Sequence, residues 1–270
     1  MRLGGFVIHG NARDTLARCL DSLSAVADVH VAVDSRSTDG SAELDRARGF
    51  AHVVHPWEGY GAARAEAVRA LRGCDYVFFL DSDEWLEPDA IAAIAAWKAS
   101  APAAPYYALA RRDWAELPSG RFLFRTEHHV RLVRYDAARW DRSMIVHEAL
   151  PPGPVVRLPA ALDHRFATDV AGMRAKVDRY ALLWAIRFHR EGKRAKPPLV
   201  QKVAHLAREA FLKGALRRGG AAGWQLAEAV AHYHARKYAL LREVERGGFR
   251  ELVAAYEAGR LEELYRMLPV

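Results

Sequence analysis

Cysteine is nearly absent: Cys19 and Cys74 are the only two in 270 residues, too few for a disulfide framework, and neither stands in a CxxC or Cys/His spacing that would hold zinc. A reducing compartment is expected, the cytoplasm by default. Long apolar runs are absent too. Nothing approaches the ~20 residues that cross a bilayer. The N-terminal stretch Leu3–Ile8 is shorter than a signal h-region and leads into Gly10-Asn11-Ala12-Arg13 rather than a cleavage site. The chain is therefore not expected to be integral to a membrane. There is no internal repeat. Apolar residues make up 51% and charged residues 27%, the balance of a chain that buries a core. Its length suits one large α/β domain with an appendage as well as two domains.

Charge of one sign is scarce in one half only. Arg165 to Arg250 holds 19 basic and 7 acidic residues, whereas Met1 to His164 holds 19 and 22, within a total of net +7. An acidic front and a basic back suggest separate jobs. The back should attract the phosphates of lipid headgroups or nucleic acid, or anionic glycans.

The first hundred residues alternate short β-rich runs with helical segments, which calls for a mostly parallel sheet with helices on its faces. Strands are expected at Leu3–His9, Val29–Asp34, His52–His55 and Tyr76–Asp81. Helices are expected at Thr15–Leu23, Ser41–Arg48, Ala62–Leu71 and from Pro88 to Ala96. Tyr106–Arg111, Arg121–Phe124 and Val130–Tyr135 read as three further strands, and Pro151-Pro152-Gly153-Pro154 breaks what precedes it. Beyond Ala171 the pattern is helical, with segments near Ala171–Glu191, Leu199–Arg217, Trp224–Arg246 and Phe249–Leu268. The domains expected are residues 1–168, a catalytic α/β domain, and 169–270, a helical C-terminal region.

Asp81-Ser82-Asp83 follows the apolar run Tyr76–Leu80, so its carboxylates emerge at the carboxyl end of a buried strand, where open α/β sheets take their ligands. Two aspartates one residue apart can share a divalent cation and the pyrophosphate it neutralises. An Asp-x-Asp triplet alone is more often a solvated turn or a helix cap. Here Asp34 ends another strand, before a hydroxyl-rich turn, and can accept a hydrogen bond from a base NH or a ribose hydroxyl. Asp39 and Ser41 read as caps of the next helix. Arg64 follows a glycine-rich loop at a helix N-terminus, a place suited to phosphate.

With these segments in view the chain resembles the inverting glycosyltransferase family 2, and within it the lipopolysaccharide-core glucosyltransferase group. The residues that carry the resemblance are Gly10-Asn11-Ala12, Val33 to Gly40, Pro56-Trp57-Glu58-Gly59-Tyr60-Gly61, Asp81-Ser82-Asp83-Glu84 and Val146-His147-Glu148, in family order. It covers about residues 3 to 190, and the helical tail matches only in general character. Two departures stand out, Ala12 for the usual glutamate and Arg36 for the usual glycine. The resemblance implies a GT-A fold, Rossmann-like with a helical C-terminal extension. It implies that Asp34 reads the base, that Asp81 lies near the ribose, that Arg64 faces the nucleotide and that Asp83 holds Mn2+ or Mg2+. It further implies a nucleotide-diphosphate sugar as donor, a UDP-sugar foremost, and a glycolipid or polysaccharide as acceptor.

Inverting transfer needs a base to deprotonate the acceptor hydroxyl. Glu148 is the candidate, beside the apolar Met144-Ile145-Val146 that could raise its pKa. His164 is expected as metal ligand, and His147 and Arg131 as contacts to acceptor or diphosphate. His128-His129 lacks acidic company and is expected in a loop or acceptor cleft. Arg131 and Arg134 share a face if their segment is helical and take opposite faces if it is extended.

The basic helices interleave apolar residues with Lys202, Lys213, Arg217 and Arg218, a pattern that suits an anionic membrane surface, with Trp184, Phe211 and Trp224 as anchors. Peripheral association at the inner face of the cell membrane is the expectation. The rival readings are a non-catalytic module for anionic surfaces or nucleic acid, and a nucleotidyltransferase. The first leaves the strand-end acids unexplained and lacks the aromatic and basic strand motifs of nucleic-acid binders. The second lacks a Gly-rich, Arg/Lys-containing loop after the first strand. No nucleic-acid partner is expected.

Overall fold

The computed structural model describes residues 1–146 and 149–268. Eight strands form one sheet: β1 (Leu3–His9), β2 (Val29–Asp34), β3 (Ala51–Val54), β4 (Tyr76–Asp81), β5 (Glu84–Leu86), β6 (Tyr106–Leu117), β7 (Gly120–Arg134) and β8 (Val155–Ala167). Their order is β3-β2-β1-β4-β7-β6-β8-β5. The β3-β2-β1-β4 half is parallel, and β4 pairs with β7, and β5 with β8, antiparallel. This is the α/β fold expected, with a helical C-terminal region.

β1 is buried at all seven positions, as the central strand of a parallel sheet covered on both faces must be. Its alternate residues serve two cores. Leu3 and Val7 pack with α1 (Arg13–Ser24) and α4 (Pro88–Ala99) through Leu16, Leu20, Ile94 and Trp97. Phe6 and Ile8 pack with α3 (Tyr60–Ala70) through Ala63, Ala67 and Val68. α2 (Ser41–Ala47) links β2 to β3. The chain reverses its direction of winding between β1 and β4, and the crevice at their carboxyl ends is the switch point where such sheets take ligands.

Contacts divide the chain into two compact units. The first takes residues 1–112, 127–142 and the segment ending at His164; the second takes 113–126, 143–146 and the chain from Arg165 onward. The second unit is dominated by α5 (Val170–Arg190), α6 (Pro198–Ala207), a π-helical turn at Arg208–Leu212, α7 (Ala215–Glu245), α8 (Arg250–Glu257) and α9 (Leu261–Met267).

Several sequence expectations change. Arg121–Phe124 and Val130–Arg134 are parts of one strand, with Tyr135 in the 3-10 turn that follows, because the polar residues 126–129 between them alternate exposed and half-buried side chains and continue the ladder. His128 and His129 therefore lie in β7, not in a loop, and His129 stands 4.0 Å from Glu127. The third strand begins at Ala51 rather than His52 and ends at Val54. The helix expected over Leu199–Arg217 ends at Ala207 and gives way to the π turn and to Gly214, whose φ of 70° suits glycine. α7 starts at Ala215, nine residues before the expected Trp224, and bends where Gly220 leaves helical geometry. Gly259, at φ 70°, separates α8 from α9 where one helix was expected.

Candidate functional site

β4 ends in Asp81 and turns through Ser82 and Asp83 into β5, so three acids crowd one tight turn. Glu84 is fully buried, and its burial is possible because Arg131 donates to it from Nε at 2.9 Å and Nη2 at 2.5 Å, and Arg111 from Nη1 at 3.4 Å. The backbone N–H of Asp81 also donates to Glu84, at 3.2 Å. Asp81 accepts one hydrogen bond from Arg64 at 2.8 Å and one from Arg131 at 2.9 Å. Burial pushes the Asp81 carboxyl up. Arg131, then Arg64, Arg111 and His164, more than reverse this and hold it well below the ordinary carboxylate range.

The two arginines reach Asp81 from different elements. Arg64 sits on the buried face of α3, one turn after Gly59, whose φ of 106° lets the loop turn into the helix. Its guanidinium lies 4.6 Å over the Phe79 ring. Arg131 is buried on β7, while Arg134 is half-buried and pairs with Asp136, on the opposite side of the strand as an extended segment requires.

His164, on β8 opposite Glu84, brings Nε2 to 3.4 Å from Asp83 Oδ2. Two ligands in neighbouring positions on one cation stand about 3 Å apart, so this pair fits a shared divalent ion. Among the described residues no three His, Cys, Asp or Glu side chains form a complete metal cluster. A cation held here would take its remaining ligands from water or from a ligand's oxygens. Cys19, beneath the turn, is no competing donor: burial first, then Glu84, Asp81 and Asp83, push its thiol well up.

Asp34 ends β2, opposite His9 in the β1 register, while Ile8 is opposite Asp81. The Cα atoms of Asp34 and Asp81 thus lie two strand spacings apart, about 10 Å, on either side of β1 at the carboxyl end of the parallel strands, and by the register their side chains leave opposite faces of the sheet. Asp34 is buried and accepts from Ser37 N–H at 3.0 Å and Ser37 Oγ at 2.5 Å. Asp39 accepts from Ser41 Oγ at 2.7 Å, from Ser41 N–H at 3.0 Å and from Arg13 N–H at 3.0 Å. The Ser41 hydrogen bond is the chief cause of its carboxyl falling to about 2. Arg36 occupies the left-handed region at φ 63°, which explains the glycine usual there.

Of the residues singled out from sequence, Asp81, Asp83, Arg64, Arg131 and His164 come together at one turn, and Asp34 ends the strand on the other side of β1. His147 and Glu148 lie outside the described residues. Sequence reasoning passed over Glu84 as the anchor of Arg131, and Arg111 altogether. It also passed over His9, Asp45 and His52 around Asp34. Glu84 was visible inside its motif; the others carry no signal, since their spacing along the chain does not reveal that they meet.

Residues 6–137 match the family model described as Glycosyl transferase family 2. The lipopolysaccharide core biosynthesis glycosyltransferase LpsC of Rhizobium meliloti is 30% identical over 167 residues, 56% of this chain and 57% of that protein. An uncharacterized glycosyltransferase of Rickettsia conorii is 31% identical over 33% of this chain and 31% of its own length. The chain thus spans a little over half of the first relative and about a third of the second. Among solved structures, the mannosyl-3-phosphoglycerate synthase of Rubrobacter xylanophilus aligns with a TM-score of 0.36 at 20% identity, over 42% of this chain and 41% of that one.

Proposed function

From the match of residues 6–137 to the glycosyl transferase family 2 model we propose that the protein moves a hexose, with inversion, from a nucleotide-diphosphate sugar, a UDP-sugar foremost, to a glycolipid or polysaccharide acceptor. The observation that carries the proposal is that two strand-end acids, Asp34 on β2 and Asp81 on β4, close the carboxyl end of the parallel strands on either side of β1, their Cα atoms about 10 Å apart. Asp34 meets the base and Asp81 the ribose. Arg64 and Arg131 hold Asp81 ionised and in one pose. Asp83 and His164 would hold a divalent cation, Mn2+ or Mg2+, which when bound supplies positive charge to the departing diphosphate. Glu148 is the proposed general base, on the family resemblance, with His147 beside it as a contact to acceptor or diphosphate.

The acceptor side of the proposal draws on the second unit. α6 buries none of its residues. Leu199, Val200, Val203, Phe211, Leu212, Leu216 and Trp224 are all exposed, Leu212 at 86%. So much bare apolar surface in the stretch of net +12 suits an anionic lipid surface, where apolar side chains enter the interface and bases meet headgroups. No helix among the described residues is long and apolar enough to cross a membrane. Trp184, expected as an anchor, is instead buried in the helical core, stacked on Phe188. Lys202 and Lys213 are engaged by Glu228 and Glu209, and Arg218 donates to the carbonyls of Leu123 and Phe124. The apolar residues, more than these bases, therefore carry the proposed surface.

Calorimetry tests the reading of the site. UDP should bind at least tenfold more tightly with Mn2+ than with chelator, and Asp83→Asn should abolish the difference. Glu148→Gln should keep UDP affinity and lose transfer by about 10²–10⁴-fold. Equal UDP affinity in chelator and in Mn2+ would remove the metal from the scheme.

A further inference from the structure

Around Asp34 lies a second buried polar cluster to which the reaction above assigns nothing. His9 at the end of β1, Asp45 on α2 and His52 on β3 close a ring with Asp34. Asp45 Oδ2 stands 2.9 Å from His9 Nε2 and 2.9 Å from His52 Nδ1. On the other side of the ring, His9 Nδ1 lies 3.6 Å from Asp34 Oδ1, and His52 Nε2 lies 3.7 Å from Asp34 Oδ2. His9, Asp34 and Asp45 are buried. An ionised carboxylate only accepts, so the short bonds to Asp45 fix a proton on His9 Nε2 and on His52 Nδ1. Each imidazole therefore turns its other nitrogen toward Asp34.

The ring is not a metal site. Each histidine faces the two carboxylates through different nitrogens, so no single point lies within ligand distance of all four groups, and no metal cluster occurs among the described residues. Nor is Asp34 saturated by it. Separations of 3.6 and 3.7 Å exceed a hydrogen bond of about 2.7–3.2 Å. Oδ1 is occupied by the two Ser37 donors, while Oδ2 is flanked only by His52 among the described residues. Ser37 thus fixes the carboxylate through Oδ1, the two imidazoles flank it without hydrogen-bonding to it, and Oδ2 remains able to accept.

Resting on the reading of Asp34 as the residue that meets the base, we propose that His9, Asp45 and His52 are positioning residues for Asp34. They form a His–Asp frame that aims Oδ2 at an N–H donor on the nucleobase and so selects a base, such as uracil, that offers one. Asp45 does this without touching the nucleotide, through the two imidazoles it orients.

N3-methyl-UDP, which lacks the N–H, separates this role from simple support of the fold. By calorimetry in Mn2+, the wild type should prefer UDP over N3-methyl-UDP by about tenfold or more, the value of a hydrogen bond to a charged acceptor. Asp45→Asn should cut that preference to about threefold or less while leaving pyrophosphate affinity unchanged. So should His52→Asn, which keeps a donor for Asp45 and loses the nitrogen that faces Asp34. Unaltered preference in folded variants overturns the frame and leaves Asp34 as base reader. No preference in the wild type removes the reading of Asp34 itself, and the frame with it. A measurement on the unmodified protein stands beside these in case the variants do not fold. The ring ¹⁵N resonances of His9 and His52 should move with UDP and stay in place with N3-methyl-UDP; identical responses to the two ligands overturn the proposal.

Discussion

Glu84 offers the sharpest test of the electrostatic argument, because its carboxylate has no exposure and is matched by named donors. Glu84→Gln keeps one acceptor oxygen but sets an NH2 group against the Arg131 guanidinium, which otherwise donates to Glu84 at 2.9 and 2.5 Å. Removing one partner of a buried ion pair costs about 3–5 kcal/mol. Asp81 still accepts from Arg131 at 2.9 Å, and the amide oxygen can still serve Arg111. The expected loss is therefore about 2–4 kcal/mol, or a fall in Tm of about 5–15 °C for a chain of this size. Scanning calorimetry and urea unfolding followed by circular dichroism measure it. The double variant Glu84→Met with Arg131→Met should lose less than the sum of the single variants, because no uncompensated charge is left buried. A loss under about 1 kcal/mol for Glu84→Gln, or additive effects in the double variant, would refute the claim that the pair holds the turn.

Arg36→Gly should stabilise the protein by about 0.5–1 kcal/mol by relieving the left-handed φ of 63°, and urea unfolding should show it as a higher midpoint. Burial first, then Lys237 and His205, push the His234 imidazole down to about 3. Below about pH 6.5 the unfolded chain takes up a proton that the folded chain refuses, so stability should fall with pH from there toward 3; His234→Phe should flatten that slope in urea titrations at stepped pH. Replacing Leu199, Val203, Phe211 and Leu212 together by serine should cut co-sedimentation with phosphatidylglycerol vesicles at least tenfold, since each such side chain contributes about 1.5–3 kcal/mol when buried. Reversing Lys202 and Lys213, already engaged by Glu228 and Glu209, should do less; a wild type that stays in solution with these vesicles at low salt would sink the membrane reading.

The parallel half of the sheet was legible because its strands are continuous apolar runs: β1, β2 and β4 start and stop where the hydrophobicity does. β7 was not, since half of it is solvated and its polar middle reads as a loop. The three-residue β5 is too short for any period to show. At the site, the acids were legible and their partners were not. Asp81 is 17 residues from Arg64 and 50 from Arg131, Glu84 is 47 from Arg131, and His9 is 36 from Asp45. A strand-end acid announces itself by following an apolar run. The cation that allows it to be buried arrives from another element, at a separation set by topology.

That asymmetry bears on how the site works. Burying Asp34, Asp45 and Glu84 costs desolvation that isolated carboxylates could not recover, and close donors offset it: Ser37 for Asp34, His9 and His52 for Asp45, and Arg131 for Glu84. Each acid is thereby confined to one pose before a ligand arrives. Asp81 is gripped by Arg64 from α3 and by Arg131 from β7, so rotating its carboxylate would break two charge-assisted hydrogen bonds at once. A ligand reaching these strand ends would meet acceptors that are already oriented, and binding would not have to order them. The same grip limits the chemistry Asp81 can perform: both its oxygens are committed to arginines at the strand end, whereas Asp83, two residues on, lies where the chain turns toward His164.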